Sequence, residues 1–296
     1  MTFQGVLAKC YQWLTQPVSP YPLALFRILF GIILLLNGLF LYPDLDTWFS
    51  SNGIFSLELA RKVTGSNRLN VFLWFGDSPQ VVAMVFWSYM LAGFGLVIGL
   101  APRAMALVVF VCIASFSHRN IFILHSGDTF LRVISFLMIF APSAAALSLQ
   151  SWLAGGPKKS INAEAYRLIQ FQVCLVYLAT FVFKTQGNQW MDGSAVYVVQ
   201  QLTEFERFSL PEFMRTPFMS KVLTWGTLAI EGFFPIGVWF RDTRLPILGA
   251  MIAMHLGIEY SMNVQLFEWT MITTVVLFLS EREIGKLLRL RDLQEA

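Results

Sequence analysis

The sequence has little charge, and this lack excludes an ordinary soluble domain. Only 13% of its 296 residues are Asp, Glu, Lys or Arg, whereas 56% are hydrophobic and the mean hydropathy is +0.61. A soluble domain has about 25% charged residues, which help to cover its core. The net charge of +3 is small, and no run of Lys and Arg indicates a nucleic-acid-binding patch. The composition therefore predicts a membrane protein that does not bind nucleic acid.

Cysteine, histidine and the common motifs of soluble enzymes are also scarce. The three cysteines, Cys10, Cys112 and Cys174, form neither a CxxC pair nor a disulfide framework. His118 and His125 have no cysteine or carboxylate at metal-ligand spacing, so we predict no metal site. The sequence contains no GxSxG, Walker, HExxH or GxGxxG motif. These absences argue against the common hydrolase, nucleotide-binding and zinc-protease classes.

Long apolar stretches dominate what is present. A helix of about 20 apolar residues crosses the hydrocarbon core of a bilayer. We predict an all-α, polytopic transmembrane helical bundle with eight spans, at 23–42, 80–99, 104–123, 128–148, 166–186, 220–239, 245–262 and 265–281. The first span is longer than the apolar core of a signal peptide, contains Arg27 and lacks a small-residue cleavage site. We therefore expect it to remain in the mature protein.

The distribution of Lys and Arg predicts the orientation of these spans. With a cytoplasmic N-terminus, the cytoplasmic segments contain eleven of these residues and the outer segments seven. An even number of spans then places both termini inside, an N-in/C-in topology. The two long outer loops, 43–79 and 187–219, are rich in Trp, Phe, Pro and Gly. We predict that they form short interfacial helices or lids.

Several ionisable residues lie in or beside the predicted spans, where a charge costs about 3 kcal/mol on insertion scales. Most of them fall on the predicted outer side, and only Arg27 lies toward the inner side. A structural role is favoured for Arg27, either snorkelling or pairing with a helix end. Glu231 has no partner on its own helix, so it must meet a cation from another helix, for which Arg132 or Lys184 would serve.

Two pairs of ionisable residues are spaced i, i+4 and so share a helix face. Asp128 and Arg132 are suited to an intrahelical ion pair that neutralises itself. His255 and Glu259 are suited either to an interhelical hydrogen-bond clamp or to a proton-handling pair.

Lys184 ends an apolar span and precedes the polar stretch TQGNQW at 185–190. One interpretation is an interface lysine that snorkels to the lipid headgroups. The other is a desolvated amine that is neutral often enough to act as a general base. The residues alone leave both interpretations open.

Five segments in chain order carry a family resemblance. They are FRILFG at 26–31, GFGLVIGLAPR at 93–103, the stretch from RN at 119–120 through HSGD at 125–128 to Pro142, Tyr177–Gly193 with Lys184 and WMDG, and Glu231 with 255–267. Together they resemble the HTTM domain, the membrane domain of vitamin K-dependent gamma-carboxylases and their bacterial relatives. Because the resemblance covers nearly the whole chain, we expect residues 1–296 to form a single HTTM-like transmembrane domain.

The resemblance implies a concrete chemistry. In the carboxylases a lysine of this block deprotonates reduced vitamin K; the quinol then reacts with oxygen to give a base that takes a proton from glutamate, and carbon dioxide adds to the carbanion. Lys184 matches that lysine, and His125 matches an assisting histidine, so both are predicted to be catalytic. A menaquinol or vitamin K-type quinol is the implied cofactor. The residues predicted to bind it are Asp128, Arg132, Trp190, Glu231, His255 and Asn263.

The chain also departs from the carboxylases. It ends soon after its last predicted span, where they carry a large luminal domain, and the family's Gly-Gly-Asp is Ser126-Gly127-Asp128 here. Where the carboxylase has two lysines, this chain has Phe183-Lys184. A quinol pocket is therefore a firmer expectation than protein glutamate carboxylation.

These observations lead to two main functional expectations. A third, a small-molecule or ion carrier, is opposed by the lack of an inverted repeat among the eight predicted spans. The first is a carboxylase-like enzyme in a bacterial inner (cytoplasmic) membrane, surrounded by membrane lipids, that modifies a secreted peptide or protein at the outer face. The alternative is a non-enzymatic factor for the maturation or export of a secreted peptide.

Overall fold

A computed structural model describes residues 3–65 and 67–289, and among these residues it contains helices but no strand. The prediction of an all-α fold is confirmed. Short 3₁₀ segments occur at Tyr42–Asp44, Thr203–Phe205, Glu212–Arg215 and Thr274–Phe278. The α-helices are α1 Phe3–Thr15, α2 Tyr21–Leu41, α3 Leu45–Phe49, α4 Leu57–Thr64, α5 Phe72–Phe75, α6 Pro79–Ile98, α7 Pro102–Arg119, α8 Ser126–Met138, α9 Leu149–Leu153, α10 Glu164–Thr185, α11 Asn188–Met191, α12 Ala195–Val199, α13 Pro217–Gly237, α14 Arg241–Ser261, α15 Phe267–Thr273 and α16 Glu281–Leu288.

The chain divides into two compact units. The first unit holds the chain up to Ile169 and again from Leu279 on, and the second is Gln170–Phe278. In the first unit α2 packs against α6, α6 against α7 and α7 against α8. In the second unit α13 packs against α12 and α14, and α14 packs against α15. Helices that are neighbours in sequence are thus neighbours in space, as short connections require.

Local sequence signals explain where α6 begins and ends. The side chain of Ser78 accepts a hydrogen bond from the backbone N–H of Val81, and Pro79 occupies the first helical position, where no N–H is needed. Gly99 ends the helix in the left-handed conformation, with a φ of 72°, which glycine adopts without a steric penalty. The connection to α7 is therefore only three residues long, Gly99 to Ala101.

Three helical segments are long and apolar enough to cross a membrane: Tyr21–Phe49, Pro79–Ile98 and Glu164–Thr185. They coincide with the first, second and fifth predicted spans. On the second of them, Trp87, Leu91 and Phe94 are more than half exposed, as expected for side chains that face lipid. The membrane character of the chain is thus supported.

The prediction of eight spans is not confirmed. The predicted span 128–148 corresponds to α8, which has 13 residues and ends at Met138, and 265–281 corresponds to α15 followed by a five-residue 3₁₀ segment. An α-helix rises 1.5 Å per residue, so 13 residues cover about 20 Å, less than the hydrocarbon core of about 30 Å. The N-in/C-in orientation stays a prediction.

The two long loops contain the short helices that the sequence predicted. Residues 43–79 include α3, α4 and α5, and residues 187–219 include α11 and α12 with two 3₁₀ turns. Phe49, Phe55 and Phe72 of the first loop are buried, so this loop is packed onto the first unit.

Candidate functional site

Lys184 and Glu231 form an ion pair inside the second unit. Lys184 lies in the last turn of α10 and Glu231 lies in α13, and Nζ of Lys184 is 2.6 Å from Oε1 of Glu231. The Glu231 side chain is 7% exposed and the Lys184 side chain 24%. The second carboxylate oxygen of Glu231, Oε2, is buried and has no hydrogen-bond partner. The cation that Glu231 required is therefore Lys184, one of the two candidates that the sequence allowed.

Trp190 covers the amine of Lys184 from another side. Its ring centroid is 4.5 Å from Nζ of Lys184, a cation–π distance. Two backbone hydrogen bonds form a turn at Gly187: the N–H of Gly187 donates to the carbonyl of Lys184, and the N–H of Trp190 donates to the carbonyl of Gly187. This turn brings the indole of Trp190 back toward the end of α10. The structure thus places two of the predicted site residues in contact.

A cavity of about 290 Å³ opens beside Lys184 and Trp190. The loop 195–210 and the end of α14 supply most of its wall, which is largely apolar. One polar side chain in this region stands out. The side-chain amide of Gln200 lines the cavity, and both its oxygen and its nitrogen are buried without a hydrogen-bond partner. Buried polar groups are normally paired, so an unpaired amide on a cavity wall is suited to form hydrogen bonds with a ligand.

A second buried group of polar residues lies on α10, α14 and α15. The hydroxyl of Tyr177 is 2.7 Å from Nε2 of His255, and Nδ1 of His255 contacts the carboxylate of Glu268. All three side chains are buried. His255 thus bridges α10 and α15, and the predicted interhelical clamp is formed with these partners rather than with Glu259. Tyr177 lies seven residues before Lys184, so the two side chains share one face of α10.

Glu259, the residue predicted to pair with His255, instead binds Arg207. The guanidinium of Arg207 contacts Oε1 of Glu259, and the backbone N–H of Arg207 bonds the carbonyl of Ser261. This ion pair fastens the loop 200–210, which forms the cavity wall, to the end of α14. The N–H of Asn263 donates to the carbonyl of Phe205 at 2.7 Å, and this bond also holds the loop 200–210 against the segment that follows α14. The Asn263 side chain is exposed.

His125 and Asp128 lie in the first unit and cap α8. Nδ1 of His125 accepts a hydrogen bond from the N–H of Gly127 at 3.0 Å, and the Asp128 carboxylate accepts one from the N–H of His125 at 3.1 Å. This reciprocal arrangement is a capping box. No salt bridge joins Asp128 to Arg132 among the described residues, so the predicted intrahelical pair is wrong. The carboxylate turns to the helix end, where free N–H groups attract it.

Asp192 of the WMDG block has a local structural role. Two hydrogen bonds from Ser194 lower the pKa of Asp192 below its ordinary value. The bond from the Ser194 side chain has the larger effect, and the bond from its backbone N–H has the smaller one. The backbone bond measures 2.8 Å. Asp192 therefore stabilises the turn between α11 and α12 as a carboxylate.

Four residues of this region were not predicted as site residues from the sequence: Tyr177, Gln200, Arg207 and Glu268. The spacing of Tyr177 from Lys184 is a usable signal, since residues seven apart lie on one helix face. For Gln200 and Arg207, which lie in an irregular loop, no periodic signal exists.

Arg27 is fully buried in the first unit. Its Nη1 donates to the carbonyl of Ser143 at 3.0 Å, and its Nη2 donates to the carbonyl of Leu147. Both acceptors lie in the non-helical segment that follows α8. The structural role predicted for Arg27 is thus confirmed, because its guanidinium binds carbonyls beyond a helix end.

The family model of the HTTM domain matches residues 15–282. No curated protein and no solved structure matches the chain.

Proposed function

The chain belongs to the HTTM domain family, and on this premise we propose that it binds a quinol-type lipid in the cavity beside Lys184 and accepts a proton there. The family relates the chain to the membrane domain of the gamma-carboxylases. The observation that supports the proposal most is the coincidence of three features: an apolar cavity, an ion pair at its edge and an unpaired amide on its wall.

The residues present are suited to a quinol head group. Ligand cavities in proteins have volumes of about 300–1,000 Å³ and combine an apolar lining with few polar groups, and this cavity of about 290 Å³ lies at the lower limit. The amide of Gln200 would donate to and accept from an oxygen of the head group. Phe205 and Leu202 would contact the ring, and the apolar tail would extend into lipid.

Lys184 must lose a proton before it can accept another. The Glu231 carboxylate, whose Oε1 is 2.6 Å from Nζ of Lys184, is a direct acceptor for that proton. In a buried pair the proton can move to the carboxylate and leave two neutral groups, which avoids a desolvated charge. A bound quinol supplies an acidic hydroxyl and two reducing equivalents. We therefore assign the acceptor role to the Lys184–Glu231 pair and not to the amine alone.

The remaining buried groups orient this pair. The rings of Tyr177 and Phe234 are 4.4 Å apart, and Phe234 lies three residues after Glu231 on α13. Tyr177 is in turn fixed by His255 and Glu268. This packing restricts the relative positions of α10 and α13, and a short polar contact such as Lys184–Glu231 depends on that restriction.

The test begins with the purified protein in mild detergent. Bound lipid is extracted and identified by mass spectrometry, and oxidation of added menaquinol is followed with and without oxygen. Lys184→Met should abolish oxygen-dependent quinol oxidation, whereas Lys221→Met, an exposed lysine of the same unit, should not. Gln200→Met should weaken quinol binding about tenfold, because one hydrogen bond to the head group is lost.

Two results would overturn the proposal. One is the absence of any quinone in the extract together with no saturable binding of added menaquinol. The other is quinol turnover that Lys184→Met leaves unchanged. If Lys184→Met also left secretion of a co-produced peptide unchanged in cells, the non-enzymatic maturation factor would be the better explanation.

A further inference from the structure

A different cavity lies in the first unit, on the predicted cytoplasmic side. Its volume is about 460 Å³, and its wall is formed by the start of α7, by residues 141–145 and by residues 150–158. Arg103 and Lys158 line it, and both also line an adjoining cavity of about 400 Å³. None of the described residues that line the larger cavity is Asp or Glu. The charge of its wall is therefore positive.

The start of α7 adds unpaired N–H groups to this wall. The first backbone N–H groups of a helix have no partner within the helix, and a capping side chain normally accepts from them. Here the capping position is Ala101, which has a left-handed backbone with a φ of 43° and no side-chain acceptor. Pro102 has no N–H, so the free groups at the cavity are those of Arg103 and Ala104. A helix N-terminus with free N–H groups attracts anions.

A buried hydroxyl provides an independent sign of a ligand. Ser143 lines the cavity and is 1% exposed, and its Oγ has no hydrogen-bond partner. The carbonyl of the same residue accepts from Arg27, which has no carboxylate partner among the described residues. The charge of Arg27 is therefore not neutralised by an acid and adds to the positive potential behind Ser143.

Apolar surface borders the positive wall. The short helix α9 contributes Gln150 and Ser151 to the cavity, while its Trp152 and Leu153 are 73% and 68% exposed. Tryptophan is enriched at the level of the lipid headgroups, where its ring lies beside acyl chains. A ligand with a phosphate group and an apolar tail would satisfy both parts of this surface.

We propose that this cavity binds the phosphate group of an anionic phospholipid. The N–H groups of Arg103 and Ala104, the hydroxyl of Ser143 and the side chains of Arg103 and Lys158 would contact the phosphate oxygens, and the acyl chains would lie against α9. Basic pockets at the cytoplasmic ends of membrane helices bind such headgroups. This site is separate from the quinol cavity, and neither depends on the other.

The test compares lipids and matched variants of the full chain. Purified protein in zwitterionic detergent is titrated with phosphatidylglycerol or phosphatidylcholine, and bound lipid is counted by native mass spectrometry. We expect phosphatidylglycerol to bind at least about tenfold more tightly. Arg103→Gln with Lys158→Gln should weaken its binding about thirtyfold, since two charges are removed. Lys9→Gln with Lys159→Gln removes the same charge from exposed positions that do not line the cavity and should leave binding unchanged.

A second variant keeps the test decisive if the double variant is poorly folded. Ala101→Asp places a carboxylate at the start of α7, and aspartate tolerates a left-handed backbone better than alanine. Its melting temperature in lipid-free detergent should be no lower than that of the unmodified protein, while phosphatidylglycerol binding is lost. Equal binding of the two lipids, or equal losses in the two double variants, would overturn the proposal. Saturation by glycerol phosphate at the affinity of the lipid would overturn the assignment to a lipid and indicate a soluble phosphate compound.

Discussion

Within the Lys184–Glu231 pair, removing the lysine should destabilise the protein more than removing the glutamate. Lys184→Met leaves a carboxylate whose side chain is only 7% exposed and whose Oε2 already lacks a partner. Glu231→Gln leaves an ammonium whose side chain is 24% exposed and lines a cavity. A lysine can turn its long stem so that the charge reaches water, whereas a glutamate in mid-helix cannot.

The expected magnitudes follow from this difference. Leaving one charge of a buried pair without its partner costs about 3–5 kcal/mol, so we expect about 3 kcal/mol for Lys184→Met. For Glu231→Gln we expect about 1–2 kcal/mol, because solvent screens the partly exposed amine. The double variant contains no unpaired charge. Its loss should be about 2 kcal/mol smaller than the sum of the two single losses, a coupling typical of residues in contact.

The measurement is unfolding in mixed micelles with increasing sodium dodecyl sulfate, followed by circular dichroism. Lys221→Met serves as the control, because Lys221 is an exposed residue of α13, and it should change the free energy of unfolding by less than about 0.5 kcal/mol. If the two single variants lost equal stability and the double variant lost their sum, the pair would not be desolvated. A proton transfer within the pair, as proposed above, would then be contradicted as well.

Two further substitutions probe contacts away from this pair, in the same unfolding assay. Tyr177→Phe removes the partner at 2.7 Å from His255 and should cost about 1–2 kcal/mol, since a buried ring nitrogen is left unpaired; no loss would contradict the hydrogen bond. Gly99→Ala should cost about 2 kcal/mol or more, because Gly99 has a φ of 72° and a new Cβ would lie 2.4 Å from Nη1 of Arg27. Gly249→Ala, a helical position with no atom within 4 Å of the new Cβ, should instead be neutral or stabilising by up to about 1 kcal/mol.

The helices of this fold were predictable where apolar runs are bounded by clear start and stop signals. Pro79 and Gly99 enclose α6, and the predicted span 80–99 differs from it by one residue at each end. Such signals act locally, through a missing N–H at the start and a left-handed backbone at the end. Hydropathy and capping therefore carry enough information for these helices.

The end of α8 was not predictable in this way. The apolar run continues to Leu147, yet the helix ends at Met138 and the chain turns irregularly to Ser148. An apolar run cannot distinguish a helix from buried irregular chain, because both avoid charge. The carbonyls of Ser143 and Leu147 are instead satisfied by Arg27, a partner that no local pattern reveals.

The candidate site was predictable in its composition but not in its pairings. The cost of charge at membrane depth correctly directed attention to Glu231 and Lys184, and the need of Glu231 for a cation left Arg132 and Lys184 as its two candidate partners. The i, i+4 rule assigned Glu259 to His255, whereas the structure pairs Glu259 with Arg207 and His255 with Glu268. A side-chain pair spaced i, i+4 on one helix contributes only about 0.2–0.5 kcal/mol. Buried partners from other helices therefore determine the pairing.

The contacts of Arg27 also bear on how the chain is made. Its acceptor at Ser143 lies 116 residues later in the sequence. Synthesis proceeds from the N-terminus, so α2 leaves the ribosome with a cation whose acceptors do not yet exist. An arginine at the centre of a membrane helix costs about 3 kcal/mol on insertion scales, and Arg27, in the second turn of α2, carries part of that cost. Until the segment after α8 has been synthesised, α2 is a less favourable membrane segment than its finished state indicates, and its final burial is a late step of assembly.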